Sequence, residues 1–403
     1  VPIELEERRM DVADLQIGMF VCRLDRPWEE TPFALQGVEL ACEADIATLR
    51  RLCSVVYVDS RRFVAEPTRT LRRTALSQSR FKAATHYNDL VPIEEEAPRA
   101  RAALERASLM VDKIFEDVVS GRNMSVEHVE HAVRPLVASV LRSADAFFLV
   151  EGLRRHDSYS YSHAVSCSAL AAAFGRHMGF EEETIFSLAA GGLLMDVGKS
   201  RLPQSLLAYQ GSLGPDEVDI IRSHVRHGMD IVTDSNITNQ DVLDIMSTHH
   251  ERHDGSGYPM GLAGNVIPIT GRMLGIIDTY DAMSSARPYR AAVSRHHALR
   301  QIYAARKTLF QAEMIEQFQV CLGVYPTGSL VELSTGEVAI VMAQNQIRRL
   351  RPRVAILSTP TKQPLNDFRP VDLMKLGDAD NVDIVRSLTV GEYGIDAASL
   401  FLQ

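Results

Sequence analysis

Apolar residues recur every three to four positions from about residue 100 to residue 320. Ala103-Leu104, Ala107, Met110-Val111 and Ile114-Phe115 form one stripe, and Val133, Leu136-Val137 and Val140-Leu141 form another. That spacing marks helices that bury one face. It predicts a helical bundle over 100–325, with its core over 130–320. On either side the period changes. Met19-Phe20-Val21-Cys22 and Val55-Val56-Tyr57-Val58 are short strand-like runs that flank a helical period over 43–52, and 28–33 is loop-like. We read 1–65 as a small α+β accessory domain. Over 66–99, Arg69, Arg72, Arg73, Arg80 and Lys82 give way to Glu94-Glu95-Glu96, which reads as a linker. After Gly323, strand-like runs return at 329–341 and 354–358, with Thr335-Gly336 as a turn signal. The segment 326–403 therefore reads as a short β-rich extension. The expected fold class is mainly α, a helical bundle between a small α+β domain and this extension.

Composition narrows the function classes. The chain has 403 residues, room for two or three domains. Hydrophobic residues are 46% and charged residues 24%, as in a globular protein. A net charge of -9 argues against a broad nucleic-acid-binding face, although a few local cations can hold a small anion. Cys22, Cys42, Cys53, Cys167 and Cys321 are scattered and contain no Cys-x-x-Cys. A disulfide framework or zinc ribbon is not expected, and a reducing compartment fits. The most apolar stretches, 169–174 and 188–195, fall well short of the roughly 20 residues that span a bilayer. They read as buried helix, so no membrane insertion is expected. Residues 1–9 are charged and lack the apolar core of a signal peptide, and a cytoplasmic location is the expectation.

Candidate chemistry lies between residues 157 and 290. His163, Asp196, His224, His249-His250 and Asp278 fall in predicted helices or at their ends. Imidazoles on separate helices, with two carboxylates, can converge inside a bundle on transition metals. A single histidine on an apolar face is more often a satisfied core residue. The adjacent pair His249-His250 is harder to explain that way. A two-metal site can activate water and clamp both oxygens of an in-line phosphoryl displacement. Gly255, Gly257 and Pro259 around Ser256 and Tyr258 impose a tight turn after a helix, either a plain helix terminus or a substrate-facing loop.

The stretch His249-His250-Glu251, Asp254-Gly255-Ser256-Gly257-Tyr258-Pro259 resembles the HHExxDGxGYP signature of the HD-GYP family. Other elements follow in family order. They are Asp157-Ser158-Tyr159 with His163, Asp196-Val197-Gly198-Lys199 with Leu202-Pro203, His224 with Gly228, and Asp278 with Arg287-Pro288-Tyr289-Arg290. Gln16 to Phe20 and Trp28 resemble a module that precedes such domains. The resemblance covers about half the chain. It implies an all-helical metal phosphohydrolase that cleaves cyclic di-GMP to pGpG or GMP. It also implies that His163 and Asp278 bind one metal, that His224, His249 and His250 bind another, and that Asp196 bridges the two. Lys199 would steady phosphate charge. Arg287 and Arg290 would face the phosphates, and Gly257, Tyr258 and Pro259 would contact substrate. Iron or manganese is the implied metal. A diguanylate cyclase carrying a GGDEF domain is a candidate partner, and the helix over 100–120 could pair with a second copy as a homodimer.

One position departs from the family. Met195 stands where the family carries the histidine before Asp196. A thioether is a poor ligand for iron(II) or manganese, so one metal site is expected to be weakened. Tyr159 stands where three-metal members carry a glutamate, so at most two metals are expected. Three readings follow: an active phosphodiesterase tolerant of Met195, a degenerate receptor or interaction module for cyclic di-GMP, and an HD enzyme for another nucleotide. His227 and Asp281 match no ligand position. Asp281 is expected to pack or to act behind a ligand.

Overall fold

The computed structural model describes residues 7–26, 38–40, 43–59, 85–153, 159–209, 211–285, 292–345, 348–376, 382–395 and 397. Contacts divide the chain into two units, one of residues 1–77 with 345–351 and one of the remainder. In the first, β1 (Glu7–Asp11), β2 (Phe20–Leu24), β3 (Val38–Glu39) and β4 (Val55–Asp59) form an antiparallel sheet of order β1-β4-β2-β3, with α1 (Glu43–Leu52) between β3 and β4. Strand alternation sends Val56 and Val58 to one face. There they meet Val21, Leu40, and Ile46 and Leu49 of α1 in a separate core.

The second unit is a helical bundle that continues into a sheet. Its helices are α2 (Ile93–Val119), α3 (Val126–Arg142), α4 (Ala144–Leu153), α5 (Tyr159–His177), α6 (Glu182–Leu194), α7 (Gln204–Leu207), α8 (Pro215–Arg222), α9 (His224–Asp234), α10 (Gln240–Thr248), α11 (Ile269–Ser284), α12 (Arg295–Ala304) and α13 (Ala312–Leu322). On α2 the buried residues are Ala100, Ala103, Leu104, Ala107, Val111, Ile114 and Val118, the stripe expected from the period. The two most apolar stretches lie in α5 and at the end of α6, buried in the main core. No described helix is long and apolar enough to cross a membrane.

The helix begins earlier than the composition suggested. Glu94-Glu95-Glu96, read as part of a linker over 66–99, is the first turn of α2. Carboxylates there favour the positive end of the helix dipole. Glu96 is fully buried. It takes hydrogen bonds from Ser139 Oγ at 2.8 Å, Arg142 Nε at 2.8 Å and Arg142 Nη2 at 2.7 Å, so this charge ties α2 to α3 instead of facing solvent.

Beyond α13, β5 (Leu330–Leu333), β6 (Val338–Ala343), β7 (Arg353–Ser358), β8 (Pro364–Asp372) and β9 (Ile384–Ser387) form an antiparallel sheet of order β8-β7-β6-β5-β9. Side chains alternate along β6. Val338, Ile340 and Met342 pack on Leu149 and Leu153 of α4, while Ala339 and Val341 join Val331, Val354 and Ile356 on the other face. Both faces are covered, which is why these strands read as nearly continuous apolar runs.

Candidate metal centre

Five helices deliver the candidate ligands. His163 lies in the first half of α5, and Asp196 follows directly on α6. A 3-10 turn over Val197–Arg201 then packs against α9. That packing depends on Gly198, where a Cβ would lie 1.9 Å from the His224 carbonyl oxygen and 2.4 Å from the Gly228 amide. Only a residue without a side chain lets the Asp196 turn reach His224. His224 opens α9, His249 and His250 follow the last turn of α10, and Asp278 lies within α11.

The helix ends also fix the imidazoles. The last carbonyls of a helix lack intrahelical partners. His224 Nδ1 donates to the Ile221 carbonyl at the end of α8, at 2.7 Å. His249 Nδ1 donates to the carbonyls of Ile245 and Met246, both at 3.1 Å. On the third ring, His163 Nδ1 meets Asp281 Oδ2 at 2.6 Å. With Nδ1 carrying the proton, each Nε2 turns a lone pair inward.

Those lone pairs converge on Asp196. His224 Nε2 is 3.4 Å and His249 Nε2 3.9 Å from Asp196 Oδ1. His163 Nε2 is 3.5 Å from the other oxygen, Oδ2, and 3.2 Å from Asp278 Oδ1. His250 Nδ1 lies 3.7 Å from Asp278 Oδ2. Two donor groups share Asp196, one with His224, His249 and His250 and one with His163 and Asp278. All six candidate ligands from the sequence are brought together, and Asp196 belongs to both groups.

The electrostatics match the geometry. Burial alone would raise the Asp196 carboxyl, but the charges of Lys199 and His163 outweigh it and hold it well below the usual range. Asp278 is lowered in the same way, chiefly by the hydrogen bond from His163 against burial. Burial pushes His249 down to about 4 and lowers His224 and His250 too, so these rings are neutral and able to coordinate. Burial also opposes charge on His163, but Cys167, Asp278 and Asp281 raise it well above the ordinary value. Without a cation, a proton on His163 balances the carboxylates.

Asp196 Oδ1 and the Nε2 atoms of His224, His249 and His250 are buried without a hydrogen-bond partner. Buried polar atoms are seldom left unpaired, and four of them around one point fit a cation. Nitrogen and carboxylate donors suit a first-row divalent metal.

Tyr258 sits over this cluster. Its ring stacks on His250 at 4.6 Å between centroids and 24° between planes. Gly257 makes the approach possible, because a Cβ there would lie 2.4 Å from the Arg252 amide and 2.5 Å from the His250 carbonyl oxygen. The peptide between Tyr258 and Pro259 is cis. Glu251 fixes the loop, its carboxylate accepting the amides of Met260 at 2.8 Å and Leu262 at 2.9 Å. Lys199 Nζ pairs with Asp196 Oδ2.

Asp281 acts behind His163, as its place one turn from Asp278 suggested. The loop-clamping part of Glu251 was not read from sequence, since its partners are backbone amides, which leave no mark there. The same holds for Cys167, whose Sγ packs 3.6 Å from His163 Nδ1. Met195 is buried in the apolar core. Arg287, Arg290, Asp157 and Ser158 lie outside the described residues.

Known families match three stretches of the chain. Residues 149–314 match an HD domain, 330–394 a KOW domain associated with HD domain, and 7–129 a domain of unknown function, DUF3391. The last match runs past residue 65 and through α2. The chain is 31% identical over 378 residues to a cyclic di-GMP phosphodiesterase of Pseudomonas aeruginosa, covering 93% of this chain and 91% of that one. It is 34% identical to a cyclic di-GMP phosphodiesterase response regulator of Xanthomonas campestris pv. campestris, over 42% of this chain and 45% of the relative. It is 33% identical to a 3'3'-cGAMP-specific phosphodiesterase of Vibrio cholerae, over 38% of this chain and 29% of the relative.

Proposed function

Since the chain belongs to the HD-GYP family of HD-domain proteins, we propose that it is a metal-dependent phosphodiesterase that hydrolyses cyclic di-GMP to pGpG or GMP. The observation that carries this reading is the placement of Asp196, whose two oxygens face two different sets of buried donors. His163 and Asp278 would hold one divalent ion with Asp196, and His224, His249 and His250 would hold the other. Iron or manganese bound there would supply Lewis-acid activation of water and charge neutralisation at phosphorus.

The chain's own groups do the rest. Asp281 fixes the ring of His163. Lys199, partly exposed beside Asp196, offers an ammonium to phosphate oxygens as charge builds on them. Water attacks phosphorus in line, the bond to the ribose 3′ oxygen breaks, and the proton that the water gives up ends on the departing 3′ oxygen as its hydroxyl. Tyr258 and the loop pinned by Glu251 close one wall and limit water to the reacting face. Arg287 and Arg290 follow α11 closely in the chain and serve the phosphates in this reading. With Met195 contributing no suitable donor, His163, Asp196 and Asp278 would be the protein groups that hold that ion.

The test is hydrolysis by reconstituted protein of cyclic di-GMP and of 3'3'-cGAMP at equal concentration. Faster turnover of cyclic di-GMP supports the reading. Preference for 3'3'-cGAMP would move the substrate to that of the Vibrio relative, and tight binding without turnover would make the domain a receptor.

A further inference from the structure

Arg222 ends α8, two residues before His224, and its guanidinium carbon lies 5.0 Å from the centre of the Tyr258 ring. His250 lies against the same ring at 4.6 Å. Tyr258 therefore links Arg222 to His250 of the cluster.

The same arrangement brings a cation to the edge of the metal cluster. Arg222 lies against the ring that itself rests on His250 of the cluster. Arg252 Nη1 is engaged by the carbonyls of His249 and Glu251. Arg222 is half-exposed, and its ion pair with Asp219 at 3.5 Å joins two solvent-facing side chains. Such pairs are weak and screened, whereas a phosphate offers a guanidinium two matched oxygens.

We propose that Arg222 binds the second phosphate of the cyclic dinucleotide, the one that is not cleaved, while the scissile phosphate lies at Asp196 beside Lys199. This rests on the cyclic dinucleotide reading above. A diester with a single phosphate has nothing to offer Arg222. The residue is thus a determinant of selectivity for two-phosphate substrates, and the stack on Tyr258 keeps its guanidinium at the rim.

The test compares wild-type protein with Arg222→Gln and Arg222→Lys at equal metal content. The substrates are cyclic di-GMP and bis(p-nitrophenyl) phosphate, which has one phosphate. In Arg222→Gln the ratio of kcat/KM for cyclic di-GMP to that for the simple diester is expected to fall about tenfold, mainly through KM. Arg222→Lys is expected to recover part of the loss, since it keeps the charge without the fork. An unchanged ratio, or an equal loss on both substrates carried by kcat, would overturn the inference and leave Arg222 as a support for Tyr258. If wild-type protein cleaves the simple diester but no cyclic dinucleotide, the substrate reading fails, and this inference falls with it.

Discussion

Asp281→Asn probes the link between the fold and the metal centre. The Asp281 carboxylate meets His163 Nδ1 at 2.6 Å, with both side chains nearly inaccessible. A buried hydrogen bond to a charged group contributes about 1.5–3 kcal/mol. Loss of a carboxylate behind a metal-ligating histidine costs about 10- to 100-fold in metal affinity, which is the same range. The effect also has a pH signature. In metal-free protein His163 is held well above its ordinary pKa, so its proton contributes stability below the unfolded value and loses it as pH rises through the folded one. A metal must displace that proton, so wild-type affinity rises with pH across the neutral range. With asparagine the proton is held less firmly. The pH dependence should shift to lower pH, while affinity at high pH is about 10- to 100-fold weaker. Titration of manganese by calorimetry at several pH values measures both. Wild-type affinity and an unshifted pH profile in Asp281→Asn would refute the orienting role.

Three further outcomes are expected. Glu251→Ala should release the amides of Met260 and Leu262 to fast hydrogen exchange and lower kcat by about tenfold or more, because Tyr258 loses its fixed loop; protection like that of wild type would count against the clamp. Met195→His should raise metal content and rate, and unchanged metal content would count against a ligand position before Asp196. Asp145, half-buried and accepting from Thr327 Oγ1 at 2.6 Å and the Gln344 amide at 3.1 Å, is pushed up to about 6 by the loss of solvent around it. Its folded form binds more protons than its unfolded form between about pH 4 and pH 6, so wild-type stability should fall across that window by about 3 kcal/mol relative to Asp145→Asn. Parallel melting curves at pH 4.5 and pH 7 would show whether the two proteins diverge in this way.

The helices were legible because their apolar residues repeat at the helical period, and the ligand candidates because histidine and aspartate are conspicuous among apolar neighbours. What escaped the sequence depends on distant partners. Glu96 looked like part of a solvated acid run, yet Ser139 and Arg142 make it a buried tie between helices. The strands β8 and β9 carry mostly exposed residues at the two edges of their sheet, so they lack the alternation that marks a half-buried strand. Gly198 stands in the family-like run after Asp196, but the reason for a glycine there appears only when the His224 carbonyl is placed against it. Nothing in the sequence sets Arg222 apart from other arginines, and its place shows only with Tyr258 against it.

The central claim is that Asp196 joins two metal sites that together cleave a cyclic dinucleotide. The most direct measurement counts metal ions per chain and cyclic di-GMP turnover on the same anaerobic sample, reconstituted with manganese or iron(II). The account predicts close to two ions per chain and turnover that disappears when the ions are chelated. Two bound ions without turnover, or turnover that survives chelation, would contradict it.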